Sequence, residues 1–180
     1  MSKPSKRLCD ASQMGEMIAS MARALAGDTP TASQLRLVGI RRRGHPLALR
    51  LAEALRSLVG LDVPVGVVDI TLYRDDLDHG SRWPVLLGTE ISFDVDGADI
   101  VLVDDVLYTG RTVRAALNTI CDLGRPARVR LAALIDRGHR ELPIQPDVVG
   151  LTVETRRDER IQVRVVPADP VDEVTRVPGP

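Results

Sequence analysis

Two adjacent carboxylates are followed, a few residues later, by a glycine flanked by threonines. Asp104 and Asp105 come directly after an apolar run, and Thr109 and Gly110 lead into a segment with helical spacing. Carboxylates at the end of a buried strand can bind sugar hydroxyls, directly or through Mg²⁺. Free N–H groups at a helix N-terminus bind phosphate, and glycine lets the backbone approach it closely. The segment 101–112, VLVDDVLYTGRT, therefore indicates a site for a sugar phosphate.

The alternative interpretation of this segment is structural, with an Asp pair that only caps the following helix. Adjacent Asp residues at the end of a buried strand, followed by a Thr-Gly turn, favour the binding site over this alternative. Two other phosphate motifs are excluded. The sequence contains no GxxxxGK[ST] P-loop and no GxGxxG dinucleotide fingerprint.

Apolar periodicity predicts the elements that must position this segment. The predicted class is α/β: a mainly parallel twisted sheet flanked by helices, in a single domain over 1–180, with 167–180 as a loose tail. The long stretch 72–99 is expected to leave the sheet as a loop. Predicted helices cover 12–26, 46–58 and the segment after Thr109 up to Gly124; predicted strands cover 34–40, 63–71, 100–103, 129–135 and 161–166.

Composition narrows the class of protein. Apolar residues make up 44% of the chain, as in a globular domain, and the net charge of −1 argues against a generally basic nucleic-acid-binding protein. No apolar run approaches the roughly 20 residues that span a bilayer, and no signal-peptide pattern follows the basic first residues. We therefore expect a cytoplasmic protein with no membrane association.

The chain resembles a known protein family. The segment VLVDDVLYTGRT is similar to the phosphoribosyl pyrophosphate (PRPP) motif of type I phosphoribosyltransferases. More narrowly, the chain resembles the bifunctional pyrimidine operon regulatory protein and uracil phosphoribosyltransferase family. Four further blocks carry the narrow resemblance in family order: VGIRRRGHPLA (38–48), VDITLYRDDL (68–77), LGRPARVRLA (123–132) and IDRGHRELPI (135–144).

The resemblance implies a set of site residues. Asp104, Asp105 and Arg43 are the expected catalytic residues, and the two carboxylates would also hold Mg²⁺ together with the substrate. A loop at 41–44 would hold pyrophosphate, and a flap at 73–84 would close over the site with Arg74 reaching phosphate. The implied residues for PRPP or UMP are Arg42, Arg43, Asp104, Asp105, Val106, Leu107, Tyr108, Thr109, Gly110, Arg111, Thr112, Arg137 and Ile161.

The implied reaction joins uracil to PRPP and gives UMP and pyrophosphate, with Mg²⁺ as cofactor. A different base, such as a purine or orotate, stays open, because the contacts to phosphate and ribose are common to the whole class. A surface Arg explains Arg74 almost as well, and a core position explains Ile161 equally well. At position 42 the family usually has Thr, whereas this chain has Arg42.

The resemblance also implies binding to the leader mRNA of a pyrimidine operon, with UMP promoting transcription termination. Candidate RNA contacts are His139, Arg140 and Arg157, although a solvated charged edge accounts for them equally well. The family commonly has a Thr-Arg pair and a His on the first helix, where this chain has Ala19, Ser20 and Arg23. Two alternatives remain: a transferase that has lost attenuation, or an RNA-binding regulator with vestigial catalysis.

The resemblance further suggests a homodimer or a higher homo-oligomer. The helix at 14–25 is rich in Met, and we expect it to be exposed and to supply a contact between subunits.

Overall fold

The computed structural model describes residues 5–28, 34–70 and 88–179 of the chain. Helices and strands follow one another in the order expected of an α/β fold. The strands are β1 (Lys6–Cys9), β2 (Leu35–Ile40), β3 (Val65–Val68), β4 (Asp99–Leu107), β5 (Arg128–Asp136), β6 (Val148–Thr152), β7 (Glu159–Arg164) and β8 (Glu173–Pro178). The helices are α1 (Ala11–Gly27), α2 (Gly44–Val59) and α3 (Arg111–Leu123).

The main sheet has five strands among the described residues, in the order β3-β2-β4-β5-β6, and every neighbouring pair is parallel. Its central strand, β4, is fully buried over Ile100–Leu102, as the continuous apolar run predicts. The carboxyl ends of the strands lie at one edge, where ligands bind in sheets of this kind. The predicted α/β class with a mainly parallel sheet is confirmed.

Successive side chains of β4 point to opposite faces of the sheet, and each face has its own apolar core. Val101 and Val103 pack in the cluster that contains the buried residues of α1 and α2. Ile100 and Leu102 pack in the cluster that contains Val113 and other residues of α3. The sheet is therefore covered by helices on both faces, which fixes β4 and its carboxyl end between two layers.

The ends of the helices follow from local residue chemistry. Asp10 and Gln13 form a reciprocal capping box at the start of α1. Gly60 ends α2 in the left-handed region, with φ of 70°, where a residue with a side chain is strained. Over the described ranges, these helices are too short or too polar for a bilayer crossing.

The Met-rich face of α1 is buried, so the prediction that this face is exposed is wrong. Met14, Ile18, Met21 and Leu25 recur at helical spacing and pack against α2 and the sheet. Their spacing marks the inward stripe of an amphipathic helix, whose burial removes apolar surface from water. The outward face of α1 instead carries small and charged residues.

A second sheet, which we call the small sheet, has the order β1-β8-β7 and is antiparallel. Its middle strand is β8, so the prediction of a loose tail over 167–180 is wrong for this strand. Val174 of β8 is fully buried, and the strand pairs with the chain's first strand on one side. The Pro and acidic residues of this segment favour a coil when the sequence is considered alone. The strand forms because β8 pairs with β1, which is distant in the sequence.

Four charged side chains join α1 to the amino-terminal edge of the main sheet. Asp99, at the start of β4, accepts two hydrogen bonds from Arg130, at 2.8 and 3.2 Å, and both residues are buried. Arg128 donates to the same carboxylate, and Asp28 pairs with both arginines. This cluster closes the edge of the sheet that lies opposite the predicted site.

Candidate active site

The carboxylate pair lies within β4 near its carboxyl end, since the strand continues to Leu107. Asp104 is 5% exposed, and its Oδ1 accepts a hydrogen bond of 2.9 Å from the Asp105 N–H. Asp105 Oδ1 accepts one of 3.0 Å from the Val106 N–H. The pair does not cap the following helix, so the structural alternative for this motif is wrong.

Burial controls the ionisation of the pair. Desolvation raises the pKa of Asp104 well above its ordinary value, and the negative charge of Asp105 raises it further. Desolvation also raises the pKa of Asp105, opposed by a hydrogen bond from Asp104 and by the charge of Arg43. A buried carboxylate next to a half-buried one in the sequence favours a bound cation or hydroxyl donors, because either one compensates the desolvated charge.

A cavity large enough for a sugar phosphate opens beside the pair, at the start of α3. It has a volume of about 520 Å³ and is lined by Asp104, by residues 106–115, and by Ile70 and Asn118. Gly110 is the N-cap with φ of 91°, and it has no side chain to cap the helix. The Arg111 N–H donates a long hydrogen bond of 3.4 Å to Thr109 Oγ1. The N–H groups of this first turn lie beside the cavity and are suited to bind an anion.

Gly110 is required for a second reason, which is its close packing against the loop after β5. A Cβ placed on Gly110 would lie 3.3 Å from Ile144 Cβ and 3.5 Å from Leu142 Cβ. The Thr109 carbonyl accepts hydrogen bonds from the N–H groups of Glu141 and Leu142, which hold that loop in place. Of the motif residues, Arg111 is exposed and pairs with Glu141 at 2.8 Å.

A second cavity, of about 700 Å³, adjoins the first. It is lined by Arg137, by residues 157–161, which include Ile161, and by Gly179, and it shares Val106 and Tyr108 with the first cavity. The Arg137 guanidinium lies 4.1 Å from the centroid of the Tyr108 ring. Arg137 and Ile161, which are far apart in the sequence, therefore line the same cavity beside the motif.

The loop at 41–44 lies against β4 near the carboxylate pair. Gly44 allows this approach, since a Cβ there would collide with the Val103 carbonyl oxygen. The peptide bond between Arg41 and Arg42 is cis. Arg42 is exposed, whereas Arg43 Nε and Nη2 donate to the two Asp169 carboxylate oxygens at 2.8 and 2.9 Å.

The three predicted RNA contacts occupy different environments. The Arg140 guanidinium donates to the Asp136 carboxylate and to the carbonyls of Tyr108 and Ile144, and its side chain is 13% exposed. His139 Nε2 lies 2.6 Å from the Thr155 carbonyl oxygen, so this nitrogen carries the proton. Arg157 alone of the three is exposed at the surface, where it lines the second cavity.

Sequence reasoning missed the residues that hold the predicted arginines. Thr155 Oγ1 accepts a hydrogen bond of 3.2 Å from Arg137 Nε and donates to the Arg137 carbonyl. Asp169 holds Arg43 from a turn near the end of the chain. Neither residue belongs to a motif, and only the folded chain brings them close. Arg74 and the predicted flap at 73–84 lie outside the described residues.

Comparisons with known proteins agree with this geometry. Residues 6–169 match the phosphoribosyl transferase domain family. A protein of Roseiflexus sp. (strain RS-1) named bifunctional protein PyrR is 54% identical over 164 residues, which cover 91% of this chain and 90% of the relative. The bifunctional protein PyrR of Acetivibrio thermocellus is 50% identical over 168 residues, covering 93% of this chain and 91% of the relative.

Solved structures share the fold at low identity. The hypoxanthine phosphoribosyltransferase of Trypanosoma cruzi superposes with a TM-score of 0.72 at 15% identity, covering 97% of both chains. The hypoxanthine-guanine phosphoribosyltransferase of Bacillus anthracis gives 0.71 at 15% identity, covering 98% of this chain and 99% of that one. These two likenesses confirm the predicted type I phosphoribosyltransferase fold. The sequence matches go further, and the chain belongs to the phosphoribosyl transferase domain family and, within it, to the family of the bifunctional PyrR proteins.

Proposed function

We propose that this chain transfers the phosphoribosyl group of PRPP to uracil, giving UMP and pyrophosphate. One observation carries the proposal: the buried Asp104 and the half-buried Asp105 lie beside two cavities that share Val106 and Tyr108 as a common wall. A ribose held at the pair can place its phosphate in one cavity and a base in the other. Membership in the PyrR family supports uracil as the base.

Each part of the substrate has matching groups on the protein. The 5-phosphate binds at the first turn of α3, where backbone N–H groups, Thr109 and Thr112 act as donors. The ribose hydroxyls bind at Asp104 and Asp105. The pyrophosphate binds at the loop 41–44, where Arg42 is exposed to meet it. The uracil ring occupies the second cavity, which Ile161 and Arg137 line.

The reaction breaks the bond between ribose C1 and the pyrophosphate oxygen and forms a bond from C1 to the uracil nitrogen. The electron pair leaves with pyrophosphate, and the uracil nitrogen loses its proton. Positive charge develops on the ribose during bond breaking, and the carboxylates of Asp104 and Asp105 stabilise it at close range. Arg42 stabilises the leaving pyrophosphate, and Arg43 adds its positive charge from the position where Asp169 holds it. We assign no general base for the proton of uracil.

Mg²⁺ fits this site as a cofactor shared between protein and substrate. The described residues contain no cluster of three or more metal-ligating side chains, and the adjacent carboxylates of Asp104 and Asp105 supply only part of a coordination sphere. Mg²⁺ prefers such a partial set, with substrate phosphates and water completing its octahedron. Bound Mg²⁺ would neutralise charge on the pyrophosphate.

Turnover is tested by incubating the protein with PRPP, Mg²⁺ and an equimolar mixture of uracil, orotate, hypoxanthine and guanine. We expect UMP as the main product. Absence of any nucleotide contradicts the transferase, and a purine nucleotide or orotidine monophosphate as the main product contradicts the choice of uracil. A control with Mg²⁺ removed by chelation should lose activity, since charge on the pyrophosphate would no longer be neutralised.

We also propose that the chain binds the leader mRNA of a pyrimidine operon and promotes transcription termination when UMP is bound. We propose that it carries out transfer and regulation in the cytoplasm. Arg157 and Arg160 are exposed beside the second cavity and offer cations to RNA phosphates near bound UMP. Arg140 is held by Asp136 and backbone carbonyls, and therefore supports this surface rather than extending from it.

The RNA surface departs from the family on α1, where Ser20 and Arg23 are exposed and Ala19 is half-buried. Transferase activity is the better supported of the two functions for this reason. A gel shift with leader RNA separates the alternatives. Binding that strengthens with UMP supports regulation, absence of binding by an active enzyme indicates a transferase that has lost attenuation, and binding without turnover indicates a regulator with vestigial catalysis.

We propose a homodimer or a higher homo-oligomer as the working form. Since the Met face of α1 is buried, we propose that the contacts between subunits use other apolar side chains. Exposed examples are Leu49 on α2 and Val166 and Val171 in the turn beside it. Light scattering coupled to gel filtration gives the number of subunits, and a single-chain mass contradicts this proposal.

A further inference from the structure

Arg43 and Asp169 form a two-point ion pair across 126 residues of sequence. Arg43 Nε lies 2.8 Å from one carboxylate oxygen and Nη2 lies 2.9 Å from the other. Two parallel bonds fix the plane of the guanidinium as well as its position, which a single bond does not. An arginine of the predicted pyrophosphate loop is therefore oriented by a residue outside that loop.

Asp169 is itself rigidly placed. Its Oδ2 accepts a hydrogen bond of 3.0 Å from the Val165 N–H, and its own N–H donates to the Val165 carbonyl at 2.9 Å. Its side chain is 15% exposed. The hydrogen bond from Arg43 lowers the pKa of Asp169 to about 2, so this carboxylate is an anion throughout the physiological pH range.

A second ion pair joins the same turn to α2. Arg50 Nη2 lies 2.8 Å from Asp172, whose other carboxylate oxygen accepts from the Val166 N–H at 2.8 Å. Arg43 and Arg50 are seven residues apart, so they lie on one face of the helix, two turns from each other. The Arg50 pair fixes the body of α2, whereas the Arg43 pair fixes the residue at which the loop enters the helix.

The competing anion for Arg43 is Asp105. The pKa of Arg43 is raised first by its hydrogen bond to Asp169, and the charges of Asp169 and Asp105 both contribute. In turn, the charge of Arg43 lowers the pKa of Asp105 against the effect of burial. If Asp169 were removed, the negative charge of Asp105 would still attract the Arg43 guanidinium. The guanidinium would then be drawn towards the carboxylate pair.

We propose that Asp169 is a positioning residue for phosphoribosyl transfer, which holds the Arg43 guanidinium at the turn 165–172 and so keeps the loop 41–44 open for pyrophosphate. With Arg43 held there, Asp105 stays available for ribose or Mg²⁺, while the positive charge remains beside it. This inference rests on the proposed transferase function.

The test uses the full chain and the matched variants Asp169→Asn and Asp172→Asn. Each removes one charge from the same turn and one ion pair to α2, so both should lower the melting temperature similarly. We expect Asp169→Asn to raise the KM for PRPP about 10-fold, the usual effect of removing a group that orients a binding residue, with the KM for uracil unchanged. We expect Asp172→Asn to keep both KM values of the wild type.

Two further variants identify the route. Asp169→Glu keeps the charge, and we expect its KM for PRPP to lie closer to the wild type than that of Asp169→Asn. In an Arg43→Gln background, Asp169→Asn should add no further increase in KM, because Asp169 acts through Arg43. If Asp169→Asn does not fold, Asp169→Glu and Asp172→Glu are compared in the same assay.

Equal KM values for PRPP in the Asp169→Asn and Asp172→Asn variants overturn the inference. The inference also fails if Asp169→Asn raises the KM for PRPP in the Arg43→Gln background as much as it does in the wild type. Calorimetric binding of PRPP separates this failure from failure of the proposed function. A wild-type chain that binds PRPP without turnover, and loses affinity about 10-fold in Asp169→Asn, contradicts the transferase and supports the positioning role. A wild-type chain that does not bind PRPP contradicts both.

Discussion

The Arg137 guanidinium lies over the ring of Tyr108, 4.1 Å from its centroid. Tyr108 follows the carboxyl end of β4, and Arg137 follows the carboxyl end of β5, so this contact joins the ends of two adjacent strands. Thr155 and the Arg156 carbonyl accept hydrogen bonds from the same guanidinium, which brings in the segment before β7. One buried arginine thus connects three segments that surround the second cavity.

We predict that Arg137→Lys raises the KM for uracil by about 10-fold, because a lysine cannot both stack on a ring and donate in the plane of a guanidinium. The KM for PRPP should change less than that for uracil, since the phosphate cavity is formed by the α3 N-terminus. Steady-state kinetics with each substrate varied in turn measures both values.

Arg156→Lys is the matched control for this change. Arg156 is exposed and pairs with Asp158, and only its backbone carbonyl contacts Arg137. We expect wild-type kinetics from this variant. An equal rise in the KM for uracil in both variants would contradict the role of the Arg137 stack in forming the base pocket.

We predict that Asp104→Asn lowers kcat at least about 100-fold, because the group that stabilises charge on the ribose is lost. The same variant should be more stable than the wild type at pH 7 without ligands. Burial raises the pKa of Asp104 in the folded chain, so ionising it opposes folding. Thermal unfolding and turnover, measured on the same preparation, test this opposition between stability and activity.

The pH dependence of stability provides a further check on Asp104. A raised pKa means that the folded chain binds more protons than the unfolded chain, so wild-type stability falls as pH rises above the unfolded value near 4. The loss continues through the raised folded pKa. The difference in unfolding free energy between Asp104→Asn and the wild type should grow over this range. A difference independent of pH contradicts the burial argument.

The sequence carries strong signals for the main sheet and the motif because both are local. The apolar run of β4, the Asp pair and the turn at Gly110 are consecutive, and the stripe of α2 recurs within one helix. Signals for the small sheet are weak, since β1 and β8 are short and each depends on the other for its burial. The Pro and Asp residues around β8 by themselves favour a coil, and no local pattern reveals the distant partner strand.

Site residues divide in the same way. The motif predicted the environment of Gly110 and the carboxylate pair from residue types alone. It did not predict that Arg43 is held by Asp169, because an arginine in a loop can reach several anions and the fold decides which one is near. The helix pattern of α1 was clear, but a list of Met residues does not distinguish a core stripe from a contact surface.

We predict that Gly110→Ala raises the KM for PRPP by about 10-fold and lowers stability by about 1–2 kcal/mol, because Ala is strained at positive φ. At this position φ is 91°, and the added methyl group would also press on Ile144 at 3.3 Å. The shift would move the first N–H groups of α3 away from the phosphate. Chemical unfolding and kinetics measure the two effects separately.

Gly97→Ala provides the matched control. Its φ is 71°, and no heavy atom lies within 4 Å of the position that a Cβ would occupy. It should lower stability by a similar amount of about 1 kcal/mol, with no change in the KM for PRPP. If both variants raise this KM equally, general destabilisation rather than the phosphate cavity explains the effect of Gly110→Ala.

The buried cluster at the opposite edge of the sheet should affect stability without affecting catalysis. We predict that Asp99→Asn lowers the free energy of unfolding by about 3–5 kcal/mol, because it leaves the buried Arg130 guanidinium without its anion in β4. Glu53→Gln is the control: it removes an exposed partner of Arg56 on α2 and should change stability by less than about 1 kcal/mol. Urea unfolding measures both variants, and kinetics at 25 °C, where both remain folded, should give wild-type KM values. A raised KM for PRPP in Asp99→Asn would show that the two edges of β4 are coupled, contrary to this prediction.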